Sequence, residues 1–185
     1  DWSSDVCSSD LATGGLRDTL PWKTSLISVA WSPSGRWMAA GTQELSVQIW
    51  ELPYQPGNEL AMSGYPTKVL QLAWHSLGRL LATGGGEQAM VWDCSGAGPA
   101  GTEPRMLDGD DSRLSCLEFQ PGGNLLASGT EQGSVILWAP MISGKPTALV
   151  AIGSRVNELR WNKQGDRLGV ATRDGWVAVA ASGPA

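Results

Sequence analysis

The sequence predicts an all-β protein built from repeated four-stranded antiparallel sheets, and three observations carry that expectation. The chain repeats itself with a period of about 43 residues, which places a repeat architecture ahead of any local reading. Each repeat holds short runs rich in Val, Leu, Ile and Trp, bounded by Gly, Pro, Ser and Asn, as strands and turns require. No segment sustains a helical period of apolar residues.

From Leu26 onward the repeats read "LISVAWSPSGRWMAAGTQELSVQIWEL", "VLQLAWHSLGRLLATGGGEQAMVWD", "LSCLEFQPGGNLLASGTEQGSVILWAP" and "VNELRWNKQGDRLGVATRDGWVAVAAS". Each opens on a run that ends in an aromatic. These anchors are Trp31, Trp74, Phe119 and Trp161, spaced 43, 45 and 42 residues apart. A turn follows, and its glycines, Gly35, Gly78, Gly123 and Gly165, keep the same spacing. A second run comes next, then a third that closes on Trp50, Trp92 or Trp138, with Ala180 at that place in the fourth unit. In the second unit the three strands are expected near 69–74, 79–84 and 88–93. A weaker fourth run lies between units, in "ELAMSG", "PRML" and "TALVAI". Four strands in a unit of this length make one blade of a β-propeller. The blades are expected over about 23–63, 64–107, 108–151 and 152–182, within a propeller region spanning 11–185.

These units resemble the repeats of WD-repeat β-propellers over essentially all of residues 12–185. The matching pieces are the aromatic, the Pro/Gly turn, "LATGG" or "LASGT", and a β-run closing on Trp. Only Trp92-Asp93 is a literal Trp-Asp pair, with Trp50-Glu51 and Trp138-Ala139 as variants. The resemblance implies a Gly-His pair before each blade, whose His joins a Ser/Thr, the Trp and a turn Asp in a buried network. Here those positions read Gly64-Tyr65, Gly109-Asp110 and Gly153-Ser154. The hydroxyl survives as Thr83 and Ser128, with Ala40 and Ala171 in the other units. The network is therefore absent or rebuilt. Packing of Trp31, Trp50, Trp74, Trp92, Phe119, Trp138 and Trp161 must carry more of the stability, at about 1.5–3 kcal/mol per fully buried large side chain.

Propellers close with about 4–8 blades, and the resemblance implies a ring of seven. Four units are visible, so an incomplete, open ring is expected. Its unpaired edges favour self-association, whereas the complete ring would be monomeric. The opening stretch "DWSSDVCSSD" has no apolar periodicity and the composition of a disordered tail. It also looks like the in-frame translation of a common sequencing-library adapter. Residues 1–10 are therefore expected to be disordered and artefactual, with the native N-terminus upstream. That origin makes a bacterial source the default expectation.

Composition narrows the function classes. The net charge is −5, and Asp1, Asp5 and Asp10 supply three of the 18 acids, so the repeats themselves are near neutral. Neither nucleic acid nor an anionic membrane surface finds a basic footprint. Cys94 and Cys116 have no CxxC spacing, and the only His is His75. This suits a reducing, cytoplasmic setting rather than a disulfide framework or a zinc site. No HExxH, GxSxG or GxxxxGK[ST] motif occurs. His75 reads as a surface turn residue. Gln71, Glu118, Glu158 and Arg160 are the polar residues of the innermost strands, and the two glutamates fall at different levels. No cofactor or metal is expected.

The expected function is a non-enzymatic scaffold that binds a protein or peptide. The resemblance places the binding face where the loop before each inner strand meets the turn between second and third strands. Two charged rows fall there: Lys68, Arg113 and Arg155, with Lys23 nearby, and Glu44, Glu87, Glu131 and Asp174. They could form a charged ring around the channel mouth. Alternatively, Lys68–Glu87, Arg113–Glu131 and Arg155–Asp174 could pair within each blade. Trp22 and Tyr65 are the aromatic candidates, Trp22 serving either as a hot spot or as cover for a blade edge. The alternatives are a metal-dependent hydrolase of propeller fold and a propeller domain of a larger regulatory protein.

Overall fold

The computed structural model describes residues 4–10 and 15–180. A two-stranded hairpin comes first, β1 (Ser4–Asp10) pairing antiparallel with β2 (Gly15–Trp22). Blade A follows, with β3 (Leu26–Trp31), β4 (Trp37–Thr42), β5 (Val47–Glu51) and β6 (Leu60–Met62). Blade B holds β7 (Gln71–Trp74), β8 (Leu80–Gly84), β9 (Ala89–Asp93) and β10 (Arg105–Leu107). Blade C holds β11 (Leu114–Phe119), β12 (Leu126–Thr130), β13 (Ser134–Trp138) and β14 (Pro146–Ala151). Blade D has three strands, β15 (Val156–Trp161), β16 (Arg167–Thr172) and β17 (Gly175–Ala180). Within every blade the strands pair antiparallel in chain order. The first strands, β3, β7, β11 and β15, touch in series and form the inner row.

The register repeats with the sequence. Trp31, Trp74, Phe119 and Trp161 face Met38, Leu81, Leu126 and Leu168 across the first strand pair. The next pair sets Met38, Leu81 and Leu126 opposite Trp50, Trp92 and Trp138. Blade D departs from the sequence expectation. Leu168 faces Val179, so Val179 rather than Ala180 takes the place of the closing Trp. Val170, facing Val177, likewise takes the place of Ser128, which faces Ile136. The turn between β16 and β17 is one residue shorter than its counterpart in blade C, which moves the register by one.

Apolar layers between successive sheets hold the fold together. Ile49, Val69, Leu81 and Trp92 pack between blades A and B. Leu80, Val91, Phe119, Leu126 and Trp138 pack between B and C, and Val135, Leu159, Trp161 and Leu168 between C and D. The second strands β4, β8 and β12 are buried along their whole length, because both faces meet a neighbouring layer. Small residues there are a packing demand. A Cβ on Gly41 would collide with the Val69 carbonyl, and one on Gly129 would lie 2.5 Å from Val156 Cγ1.

Two expectations need correction. The tail expected to be disordered is a strand over Ser4–Asp10, because the backbone of β2 offers it a full antiparallel ladder. Trp31, expected as a buried anchor, is 51% exposed. Its counterparts each pack back onto the preceding blade, Trp74 on the layer with blade A, Phe119 on that with B and Trp161 on that with C. Blade A has only the hairpin behind it. β2 stands where β6 and β10 stand for later blades, and Leu20 is buried like Met62 and Leu107. Leu20 covers Met38, Ala40 and Trp50, but Val29 and Trp31 on the inner strand stay open. At the other end Trp176, 80% exposed, projects from blade D.

Candidate functional site

The face under test is made by the loops entering β3, β7, β11 and β15 and by the turns after β4, β8, β12 and β16. In blades A, C and D a backbone bond locks the loop to its turn. Gln43 N donates to Ser25 O at 3.0 Å, Glu131 N to Arg113 O at 2.8 Å and Arg173 N to Arg155 O at 2.9 Å. The charged side chains therefore stand on a rigid base. Lys23, Glu44, Lys68, Glu87, Arg113, Arg155 and Asp174 are exposed, and Glu131 is half-buried.

The alternative of pairing within blades does not occur: Lys68–Glu87, Arg113–Glu131 and Arg155–Asp174 are not ion pairs. The bases instead lean back across the seam to the preceding blade. Arg155 Nη1 lies 3.5 Å from Glu131 Oε1, and Arg113 Nε donates to the Gly85 carbonyl at 3.1 Å. The cause is the seam itself, which sets the start of each inner strand against the second strand of the blade before it. The Ser28 hydroxyl likewise donates to Val69 O at 3.0 Å and that of Ser115 to Val156 O. Exposed pairs of this kind contribute about 0–1 kcal/mol.

The two aromatic candidates are structural. Tyr65 is 7% exposed and is no exposed hot spot. Its hydroxyl lies 2.9 Å from Thr83 Oγ1 and accepts from Trp92 Nε1 at 2.8 Å. Tyr65 thus rebuilds the network in which the family places His. Burial pushes its phenol up to about 12. Blade C keeps a shorter version, in which Trp138 Nε1 donates to Ser128 Oγ at 2.9 Å. Blade A has neither, and among the described residues the buried N–H groups of Trp22 and Trp50 lack partners. Trp22 is half-buried against the layer that covers Trp50, with Lys23 Nζ 5.6 Å from its ring centroid. The glycine before Tyr65 places it at the family-like dipeptide position, but its hydroxyl partner lies 18 residues away and only folding reveals it.

The inner strands carry one charged cluster. Arg160 lies 2.6 Å from Glu158 and 3.9 Å from Glu118, and Glu118 also accepts from Trp161 N at 2.9 Å. One arginine therefore joins the two glutamates expected at separate levels. Burial holds the Glu118 carboxyl above its usual range, against the opposing pull of the Trp161 N–H and Arg160. His75 is buried rather than superficial. Its Nε2 lies 2.9 Å from the Gly123 carbonyl of the next blade, and its ring meets Phe119 edge-on. Burial raises the thiols of Cys94 to about 12 and Cys116 to about 11, which makes both poor nucleophiles. Among the described residues no group of three His, Cys, Asp or Glu side chains is placed to hold a metal ion.

Known proteins bear on this geometry. The family model described as "WD domain, G-beta repeat" matches residues 14–51, 58–93 and 101–139. Its units begin one strand earlier than the blades, so β2, β6 and β10 each open a sequence repeat while closing the previous sheet position. THO complex subunit 3 of Arabidopsis thaliana is 27% identical over 164 residues, covering 85% of this chain and 50% of that protein. A chain of the mitotic checkpoint complex superposes with a TM-score of 0.77 at 22% identity, covering 92% of this chain and 52% of that one. The Cps50 (Swd1) β-propeller domain of Myceliophteria thermophila gives 0.76 at 20% identity, with 92% and 56% covered. The two structural likenesses establish the fold, and this chain spans about half the length of the proteins it matches.

Proposed function

Because the chain belongs to the WD-repeat family, we propose that it is a non-enzymatic scaffold that binds a protein or peptide on the turn face of its blades. One observation carries the reading. The seams raise seven exposed charged side chains of both signs, on a surface whose loops and turns are bonded through the backbone in blades A, C and D, and among the described residues only Arg155 of the seven is in an ion pair. Such a surface is rigid and electrostatically structured, which favours selective partners over strong non-specific adhesion. The names of THO complex subunit 3 and of the mitotic checkpoint complex place two similar proteins in assemblies, which supports a protein partner. A plant relative lends no weight to a bacterial source. We place the protein in a reducing compartment, the cytoplasm, on the free thiols of Cys94 and Cys116, one buried and one half-buried. The complete ring is a monomer, and the four-blade arc alone associates through the open faces at Trp31 and Trp176.

The test is binding of the chain to an array of short random-sequence peptides. Reversing charges on the turn face, with Glu44→Lys, Lys68→Glu and Asp174→Lys together, is expected to abolish or redirect the bound set. Reversing Asp93 and Lys145 on the opposite face is expected to leave it unchanged. Equal loss from both sets of changes, or no peptide bound by the unaltered chain, overturns the proposal.

A further inference from the structure

Blade B holds a cavity of about 500 Å³ on the turn face. It lies between the Gly64–Thr67 segment, which leads out of blade A, and the turn between β8 and β9. Buried Tyr65 and half-buried Met90 and Met106 give it an apolar floor, and exposed Glu87 and Asp111 stand at its rim. The volume falls within the range of side-chain and small-ligand pockets.

Charge gives the cavity a sign. No Lys or Arg lines it. Asp108 and Asp110 stand beside the rim, and all four carboxylate residues are exposed. Among the described residues none of the four is in an ion pair. Of the neighbouring bases, Lys68 is exposed on the segment entering β7, and Arg113 is committed to the Gly85 carbonyl. The Asp108 carboxylate accepts from Gln88 Nε2 at 2.7 Å, which fixes one side of the rim. The Thr67 hydroxyl at the wall has no partner among the described residues.

We propose that this cavity takes a lysine or arginine side chain of a bound peptide. The alkyl stem lies over the Met90, Met106 and Tyr65 floor, and the cationic head reaches Glu87 and Asp111 at the rim. Long basic side chains divide in this way between apolar and charged surroundings, and charge-assisted bonds to carboxylates are the stronger hydrogen bonds. The proposal rests on reading the turn face as a peptide-binding surface and names the chemistry that one part of it selects.

The test uses the full chain, the same peptide array, and then the strongest arginine-containing peptide against its citrulline counterpart, which keeps the shape and loses the charge. The array is expected to enrich Lys and Arg. Citrulline is expected to weaken binding about tenfold, the scale of one charge-assisted bond. In E87Q/D111N that difference is expected to vanish. Asn tolerates the left-handed backbone of Asp111, at φ 54°, so this variant keeps its fold, and an unchanged thermal transition checks that. Peptides bound without a basic preference, or a citrulline effect that survives in E87Q/D111N, would overturn the cavity assignment while leaving the scaffold reading intact. Binding of no peptide at all overturns both.

Discussion

Blades A and B carry the same closing tryptophan in the same register, and they treat it differently. Trp92 of blade B donates to Tyr65, which in turn meets Thr83. Trp50 of blade A is 0% exposed with no partner for its N–H among the described residues, because Ala40 stands where Thr83 stands and Trp22 stands near where Tyr65 does. The two blades also differ in what lies behind them. Blade B has a whole blade against its inner strand, and Trp74 donates to Ala30 O at 3.1 Å. Blade A has a hairpin, and Trp31 stays half open. A repeat can thus keep its strands and register while losing both its polar network and its neighbour. The strand pattern is local, whereas the network and the layer each need a second, distant segment.

The sharpest way to break this comparison is to truncate the inner aromatics. Trp161→Ala should cost about 3–5 kcal/mol, the usual loss for a large buried aromatic. Trp31→Ala should cost under about 1 kcal/mol, since half of that ring already meets water. Equal losses in chemical denaturation would mean that the face of blade A is covered in solution.

A smaller effect tests the seams. Gly129→Ala sets a methyl against Val156 and Cys116 Sγ, and should cost about 1–3 kcal/mol by overpacking. Gly122→Ala has open space around it, at a φ of 66°, and should cost about 1 kcal/mol from backbone strain alone. The gap between the two melting temperatures measures the seam.

The networks come next. Tyr65→Phe orphans Trp92 Nε1 and should cost about 1–3 kcal/mol, while Ala40→Ser offers Trp50 a partner and should add about 0.5–1.5 kcal/mol. If Ala40→Ser destabilises instead, the site has no room for the hydroxyl, and blade A is tuned for packing alone.

The smallest effect is a pH dependence at Glu118. Its folded carboxyl sits above the ordinary range, chiefly through burial. The folded state therefore holds the proton more tightly than the unfolded one. The resulting stabilisation is complete below the unfolded value and is lost as pH rises through the folded value. Glu118→Gln should flatten that fall in a denaturation series through the mildly acidic range. An unchanged slope would assign it to other groups.

Much of this was legible beforehand. The period of Trp31, Trp74, Phe119 and Trp161 marked the blades, and the turn glycines marked the first hairpin of each. The charged rows, apart from half-buried Glu131, are exposed. Their partners were not legible. Pairing of Lys68, Arg113 and Arg155 within blades was one of two alternatives, but the seam points Arg113 and Arg155 backward. Tyr65 and His75 looked superficial because their partners, Thr83 and Gly123, lie 18 and 48 residues away.

By itself the sequence determined the strand order, the four repeats and the place of each large aromatic in its strand. Those depend on local periodicity and turn chemistry, which a chain carries wherever it folds. Only the tertiary structure decided which aromatics are covered, which indole N–H groups find partners, and where a cavity with an acidic rim opens. Each of these is set by the gap between two sheets, and no single repeat contains both sides of it.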